Sequence, residues 1–360
     1  GGAGTGGAGG TISVTNNRTH TTSGAASHGI SATSMGGDGT GGGGGAGGEA
    51  AGGGGGAGGD ASANGGAGGS ASASAAASAG AGGSRKGAGT GIDGLNGVTT
   101  KEEEKLDGSD GTNGADGANG NANAADGVGG TGTGGAGGTG IGGKAGHVSA
   151  SNYGTIVTTG KGSDGMRLVT QAGRGFGGPG GGAAIAGDGG AITAKNWGWV
   201  QASGNAIYAE AIGPKGTNPI EIYNWGNLVG GTTGIFASGP TSTDIFNKGF
   251  ITATSMFAIN TVGASTNIYN AGLITGFIDL TEESDRFLNQ SGGVLETKMT
   301  SRFRGGNDLF YNQSGGTVLA ATLAGRRETS RFVGLETFKN AGLISMIDGG
   351  VGDSFTIANT

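Results

Sequence analysis

The side chains that could carry out chemistry in this chain are carboxylates and three histidines, and they are scattered. Acid–base catalysis by carboxylates needs such groups held together in one site. No Asp column recurs at a fixed period through the middle of the chain, and His20, His28 and His147 lack the spacing of metal ligands. We therefore expect no catalytic residues and no enzymatic activity. The dispersed acids are Asp164, Asp188, Glu210, Glu221, Asp244, Asp279, Glu282 and Glu283.

Two glycine-rich turns resemble a calcium-binding pattern. The segments around Asp308 (Gly-Gly-Asn-Asp-Leu) and Asp353 (Gly-Gly-Val-Gly-Asp) are similar to the Gly-Gly-x-Gly-x-Asp repeat in which consecutive turns bind Ca²⁺. Here the two matches are isolated, so a plain turn is the main interpretation. Calcium at Asp308 or Asp353 is the alternative, and we expect no other metal and no cofactor.

The composition excludes several classes of protein. Of 360 residues, 94 are Gly but only 4 are Pro, which is too little proline for a collagen triple helix. A net charge of −6 argues against a nucleic-acid partner, because such partners need a basic surface. No apolar run approaches about 18 residues, the length of a transmembrane helix. Cysteine is absent, so the chain has no disulfides or thiolate metal sites.

The chain repeats a short turn motif, Asn-x-Gly-x-Ile/Leu/Val. Six copies carry the turn glycines Gly154, Gly198, Gly226, Gly249, Gly272 and Gly342, and two longer variants begin at Asn289 and Asn312. Successive Asn positions differ by 44, 28, 23, 23, 19, 23 and 28, so we take the first interval as about two coils and the rest as one coil each. The eight anchors are Asn152, Asn196, Asn224, Asn247, Asn270, Asn289, Asn312 and Asn340.

The residues around each turn alternate as a β-strand does. The residue two before each Asn is apolar from the third anchor onward, and a Leu, Ile or Val follows about four positions after it. Asn and Gly suit the corner because both tolerate a left-handed backbone. Coils stacked about 4.8 Å apart would place the Asn amides in a hydrogen-bonded ladder. The sequence therefore predicts an all-β fold, a right-handed parallel β-helix or β-solenoid, with coils of about 23 residues.

A copy of the same unit lies near the N-terminus. At a constant shift of 136, Ile12 aligns with Val148, Asn16 with Asn152, and the segment 22–30 with 158–166. His20 falls where other coils carry their apolar residue after the turn, so we expect it to be structural. Three parts follow: a solenoid coil over 1–35, a glycine-rich insertion over 36–146, and the main solenoid over 147–360.

The insertion has two interpretations. A stretch of Gly, Ala, Ser and Asn buries too little apolar surface to offset its ordering entropy, which favours disorder. The alternative is a packed set of polyglycine II-like extended chains, in which backbones without side chains approach closely. A triplet phase of glycines from Gly108 to Gly120 favours the second interpretation.

Aromatic residues recur at fixed offsets from the turn. Tyr223, Phe246, Tyr269 and Tyr311 precede their Asn, whereas Trp197 and Trp225 follow theirs. Residues at one offset stack in register in a solenoid, so we expect aromatic ladders. If exposed, such a strip is a candidate contact surface for glycans or for lateral association.

Two segments carry a family resemblance. Residues 21–34, followed by a glycine run, and residues 332–357 resemble the passenger region of autotransporter adhesins of Gram-negative bacteria. The resemblance implies a secreted protein on the outer cell surface that acts in adhesion, aggregation or matrix and filament building. Its partners would be other copies of itself, other cell surfaces or glycans, with membrane contact only through the family's C-terminal barrel, which these residues do not include. The alternative from the fold class is a carbohydrate-binding or carbohydrate-degrading β-helix.

Overall fold

The computed structural model describes residues 2–43, 136–214, 219–320, 329–346 and 354–358, and the backbone of four short strands between them. Every regular element described is a β-strand. The strands build a parallel β-helix whose coils each have three walls. Each wall is one column of parallel strands, joined to the next by hydrogen bonds from coil to coil.

The first wall is a nine-stranded parallel sheet in which each strand ends at the Asn of a turn. Its strands pair in register, so that Asn152 lies opposite both Asn16 and Asn196. They are Ile12–Asn16, Val148–Asn152, Ile192–Asn196, Ile220–Asn224, Thr243–Asn247, Thr266–Asn270, Arg286–Asn289, Leu309–Asn312 and Thr337–Asn340.

The second and third walls belong to one sixteen-stranded sheet, because two long strands, Phe250–Gly263 and Leu273–Asp279, run through both. The remaining strands of the second wall are Thr19–Thr22, Thr155–Thr158, Trp199–Ala202, Asn227–Gly230, Val294–Thr297, Thr317–Ala320 and Leu343–Ser345. Those of the third wall are Ile30–Met35, Met166–Gln171, Asn205–Ile212, Thr233–Gly239, Thr300–Arg302, Thr329–Val333 and Ser354–Ala358.

The core is a set of inward-facing columns that follow from strand alternation. In the second wall, Ile156, Val200, Leu228 and Ile251 stack with no exposed surface. In the first wall the residue two before the Asn grows from Ala194 through Ile222 to fully buried Phe287 and Phe310. The core residues therefore repeat by wall position, as the predicted pattern requires. The part of the chain described has no helix long and apolar enough to cross a membrane.

One predicted interval is wrong. Asn152 and Asn196, 44 residues apart, lie in adjacent coils and not two coils apart, because their strands pair directly. The additional residues, 172–190, leave the third wall as a glycine-rich excursion before the chain returns to the first wall. The coil is longer, and the register of its walls is unchanged.

This excursion packs with similar segments into a feature that we call the glycine bundle, residues 2–10, 36–43, 136–146 and 172–190. Its described strands are Ala3–Thr5, Gly39–Thr40, Gly140–Ile141, Gly175–Phe176 and Ala184–Ile185. The segment 136–146 hydrogen-bonds to 2–10, to 36–43, and to both the outgoing and the returning part of 172–190, through the pairs Gly4–Thr139, Gly143–Gly37, Gly173–Gly143 and Gly142–Ile185. A strand in a flat sheet has two such neighbours.

Close backbone approach makes this packing possible. A Cβ on Gly143 would lie 1.8 Å from the carbonyl oxygen of Gly7, and one on Gly173 would lie 2.0 Å from that of Gly37. The described flanks of the predicted insertion thus pack through close approach of glycine backbones. Residues 44–135, including the glycine triplets, lie outside the described residues apart from the strands Gly56–Ala57, Ala71–Ala73, Gly89–Thr90 and Asn121–Ala122.

Candidate functional site

The Asn residues at the first corner form an unbroken ladder of side-chain amides. In each step, Nδ2 of one Asn donates to Oδ1 of the Asn in the next coil, at 2.7–2.8 Å. The ladder runs from Asn16 to Asn340, and its inner members are at most 1% exposed. Buried amides without partners cost free energy, so mutual satisfaction is what allows Asn at this position. All eight predicted ladder residues take part, and Asn16 begins the column.

The six turn glycines are required for a different reason from the one predicted. None of them adopts a left-handed φ. Instead, each carries its backbone close to the turn of the preceding coil: a Cβ on Gly198 would lie 1.8 Å from the oxygen of Gly154, and one on Gly249 would lie 1.9 Å from that of Gly226. The corner therefore needs glycine for the close approach of stacked turns.

Outside this corner lies a continuous stack of six aromatic rings, which we call the aromatic strip: Tyr153, Trp197, Trp225, Tyr223, Phe246 and Tyr269. Neighbouring rings are nearly parallel, within 8°, with centroids 4.4–4.8 Å apart except for 5.7 Å between Trp225 and Tyr223. That 5.7 Å step joins two columns of rings. In the first column each ring belongs to the residue after the Asn of its coil: Tyr153, Trp197 and Trp225. In the second column each ring belongs to the residue before the Asn: Tyr223, Phe246 and Tyr269.

The aromatic strip is a surface feature. Tyr153 is 52% exposed, and Trp197 and Trp225 are 36% and 39% exposed. Within each of its two columns a ring covers the face of the next, so the strip presents mostly ring edges to solvent. Lys195 places Nζ 5.8 Å from the centroid of the Tyr223 ring. Burial raises the pKa of the Tyr223 hydroxyl, with a further contribution from Glu221.

Two residues alter the predicted strip. Tyr311 lies at the predicted offset, but Leu288 and Lys339 occupy the same column on either side of it, so it stands apart from the stack. Tyr153 belongs to the strip and was missed, although the same Asn-x-Gly offset that marks Trp197 also marks it.

A polar cluster lies where the chain enters the third wall. His28 Nδ1 accepts the backbone N–H of Asp164 at 2.9 Å. Asp164 Oδ1 in turn accepts two hydrogen bonds from Asn205, one from its backbone N–H and one from its side-chain Nδ2. Burial lowers the pKa of His28 despite the neighbouring Asp164 carboxylate.

Arg167 lies 4.2 Å from the ring centroid of Tyr208. Burial and a hydrogen bond to Glu210 raise the pKa of the Tyr208 hydroxyl to about 12. His20 pairs with Ile156 at the post-turn position.

Three acids form a second ladder that the sequence analysis did not predict, although it named Asp308 as a possible calcium ligand. We call this ladder the acid column: Asp285, Asp308 and Glu336. They continue the inward-facing position four before the Asn, which is Ile or Val in the first four coils and Thr at 243 and 266. Each carboxylate accepts the backbone N–H of the residue one coil earlier: Asp285 from Thr266 at 2.6 Å, Asp308 from Asp285 at 2.7 Å, and Glu336 from Asp308 at 2.8 Å. The signal was available as acids four residues before successive anchors.

The two aspartates of the acid column are deeply buried. Asp285 and Asp308 are 0% and 1% exposed. Burial raises the pKa of Asp285 to about 6, against its hydrogen bonds, and burial with the neighbouring acids raises the pKa of Asp308 to about 7. Nearby, Arg304 forms a two-pronged ion pair with Asp279, at 2.6 and 3.0 Å, and reaches Glu282.

The calcium alternative finds no coordination shell at Asp308. Its Oδ1 accepts a backbone N–H, and no group of three or more acids or histidines in the described part of the chain is placed to hold a metal ion. Asp353 lies outside the described residues.

No protein-family model, no curated protein and no solved structure matches this chain.

Proposed function

We propose that this protein is an extracellular structural or adhesive surface protein that acts through the long flank of its solenoid. The observation that carries the proposal is the aromatic strip, a row of partly exposed rings that follows several consecutive coils. Exposed apolar rows of this kind are typical of contact surfaces. The nine ladder positions are separated by eight steps, so the flank is about 38 Å long at the usual strand spacing.

The resemblance to autotransporter passengers supports a more specific form of this proposal. In that form the chain is secreted across the outer membrane of a Gram-negative bacterium and displayed on the cell surface. There it mediates adhesion, aggregation or matrix assembly, with other copies of itself or other cell surfaces as partners. The absence of cysteine is compatible with export through an oxidising compartment.

Carbohydrate binding is the second candidate, and the exposed aromatics favour it. Aromatic side chains supply large contact areas to ligands. The stacking disfavours it, however, because a sugar lying flat on a ring needs an open face and the strip offers ring edges. The geometry thus suits contact with an extended surface better than capture of single sugar units along the strip.

Bead aggregation measures the first candidate directly. Beads coated with the purified protein should aggregate, and replacing Trp197 and Trp225 together by Ser should reduce aggregation by about tenfold or more, because aromatic anchors dominate contact energy. The matched control replaces Ile212 and Val262, equally exposed but on the third wall, by Ser. Equal aggregation by both double variants would sink the proposal for this flank.

A glycan panel separates the two candidates. Binding to a defined glycan that the Trp197/Trp225 variant loses, without bead aggregation, would favour the carbohydrate-binding protein. Aggregation without glycan binding would favour the adhesive one.

A further inference from the structure

The acid column contains a buried oxygen with no donor. Asp308 Oδ2 is buried, and no N–H or O–H of the described residues donates to it. Its partner oxygen, Oδ1, accepts the N–H of Asp285 at 2.7 Å. A carboxylate oxygen buried without a donor is costly, and such atoms in a native protein call for a specific occupant.

A metal ion does not fit this position. No group of three or more acids or histidines in the described ranges converges on one point. The carboxylates follow one another at coil spacing, each committed to a backbone N–H, so they do not form a shell. The neighbour that faces Asp308 from the next coil is the Glu336 carboxylate, which is itself an acceptor.

We propose that Asp308 and Glu336 share a proton at neutral pH, and that losing this proton loosens the C-terminal coils of the solenoid. With the proton on Asp308 Oδ2, the acid donates to the Glu336 carboxylate and the buried oxygen is satisfied. Glu336 is solvent-exposed, so the proton exchanges with water. When the proton leaves, three carboxylates stand in one column, two of them buried, and repel one another.

The charges around the column favour retention of the proton. Glu283 acts on Asp285 from the preceding turn, and Glu336 acts on Asp308 from the following coil. Arg304, which follows the third-wall strand Thr300–Arg302, is held by Asp279 and Glu282. Burial adds to this effect, and the pKa values of Asp285 and Asp308 are raised to about 6 and about 7.

The direction of the pH effect follows from linkage. A carboxyl whose folded-state pKa is raised contributes stability below its unfolded-state pKa, near 4, and loses that contribution as pH rises through the folded-state value. The C-terminal coils should therefore be most stable near pH 4–5 and should lose stability as pH rises to about 7. Solvent-exposed, ion-paired carboxylates change stability in the opposite direction.

Amide hydrogen exchange, corrected for the intrinsic pH dependence of exchange, tests the proposal. Protection of the Asp285 and Asp308 amides should fall with rising pH, by up to about tenfold per unit between pH 5 and 7. Asp308→Asn keeps the acceptor Oδ1 and adds a permanent donor toward Glu336, so it should remove the dependence above about pH 6 and leave the part that comes from Asp285. The matched control, Asp244→Asn, changes a carboxylate on the outer face of the first wall that accepts from Asn267. Asp244→Asn should therefore keep the pH dependence of protection seen in the natural protein.

A second variant and an infrared measurement test the shared proton independently. Glu336→Gln removes one charge and should move the midpoint of the change to lower pH. The infrared band of a protonated buried carboxyl should be present at pH 6, weaken by pH 8.5, and lose intensity in Asp308→Asn. A flat pH profile, an unchanged profile in Asp308→Asn, or restoration of protection at pH 8 by Ca²⁺ would each overturn it.

Discussion

Asn224 donates its side-chain amide to Oδ1 of Asn247 at 2.8 Å, across 23 residues of chain and one step of the solenoid. Asn247 passes the same bond on to Asn270 and also donates to the carbonyl of Gly249. Both Asn224 and Asn247 are 1% exposed. Every coil thus depends on the coils before and after it for the pairing of a buried polar group.

Replacing Asn247 by Ala should break the ladder at its centre. The amides of Asn224 and Asn270 each lose a partner while buried, which costs about 1–3 kcal/mol per unsatisfied group. We expect a loss of about 2–4 kcal/mol in the free energy of unfolding, measured by chemical denaturation. Asn17→Ala, at an exposed position beside the ladder, should change it by less than about 0.5 kcal/mol. Similar losses in both variants would contradict the role given to the ladder.

The glycine bundle predicts a strong dependence on the absence of a side chain. In Gly143→Ala the new Cβ meets the oxygen of Gly7 at 1.8 Å, so the segments must separate. Overpacking of this kind costs about 1–3 kcal/mol or more. Hydrogen exchange should show faster exchange at Gly37 and Gly173. Gly189→Ala is the control, because its Cβ would have no atom nearer than 3.7 Å.

A pair of equivalent turn positions isolates backbone strain. Ala26 has φ of +53°, and Gly162, at the same place one coil later, has φ of +70°. A left-handed backbone costs a residue with a Cβ about 1–2 kcal/mol. Ala26→Gly should therefore stabilise the protein by about 1 kcal/mol, partly offset by unfolded-chain entropy.

The reverse change tests the same strain without a clash. A Cβ on Gly162 meets nothing within 4 Å. Gly162→Ala should destabilise by a similar amount, visible as a lower thermal midpoint. If both substitutions shift the midpoint in the same direction, strain is not the cause.

The N-terminal coil should respond to pH oppositely to the acid column. Burial lowers the pKa of His28, which accepts the Asp164 N–H through a neutral Nδ1. A histidine with a lowered folded-state pKa gives stability that is complete above its unfolded value, about 6.5, and is lost as pH falls through the folded one. Protection of the Asp164 amide, corrected for the intrinsic pH dependence of exchange, should therefore fall as pH drops below about 6.5.

His28→Asn provides the control for this titration. Asn offers Oδ1 as an acceptor at a comparable reach but does not titrate in this range. The acceleration at low pH should disappear in this variant. Its persistence would assign the effect to another group.

The sequence predicted the features that depend on strand alternation and on one recurring residue. The inward columns follow from the alternation of side chains, and the ladder follows because identical residues stack on themselves in a parallel coil. The same rule predicted five of the six rings of the aromatic strip, all but Tyr153, but it did not show that the stack changes column between Trp225 and Tyr223. Tyr311 lies outside the stack because its neighbours in the column are Leu288 and Lys339. A fixed offset from the Asn does not show whether the adjacent coils also carry rings.

Features that depend on which coil lies next to which were decided by the tertiary structure. A period read from the sequence counts loop residues that leave the walls, so the 44 residues between Asn152 and Asn196 suggested two coils where hydrogen-bond register makes one. The acids of the acid column share one offset from their anchors in the sequence, but only the stacked walls show that each carboxylate accepts an N–H from the coil before it. The turn glycines were predicted correctly as residues but for the wrong cause. Their φ values are ordinary, and only the stacking of one turn on the next leaves no room for a Cβ.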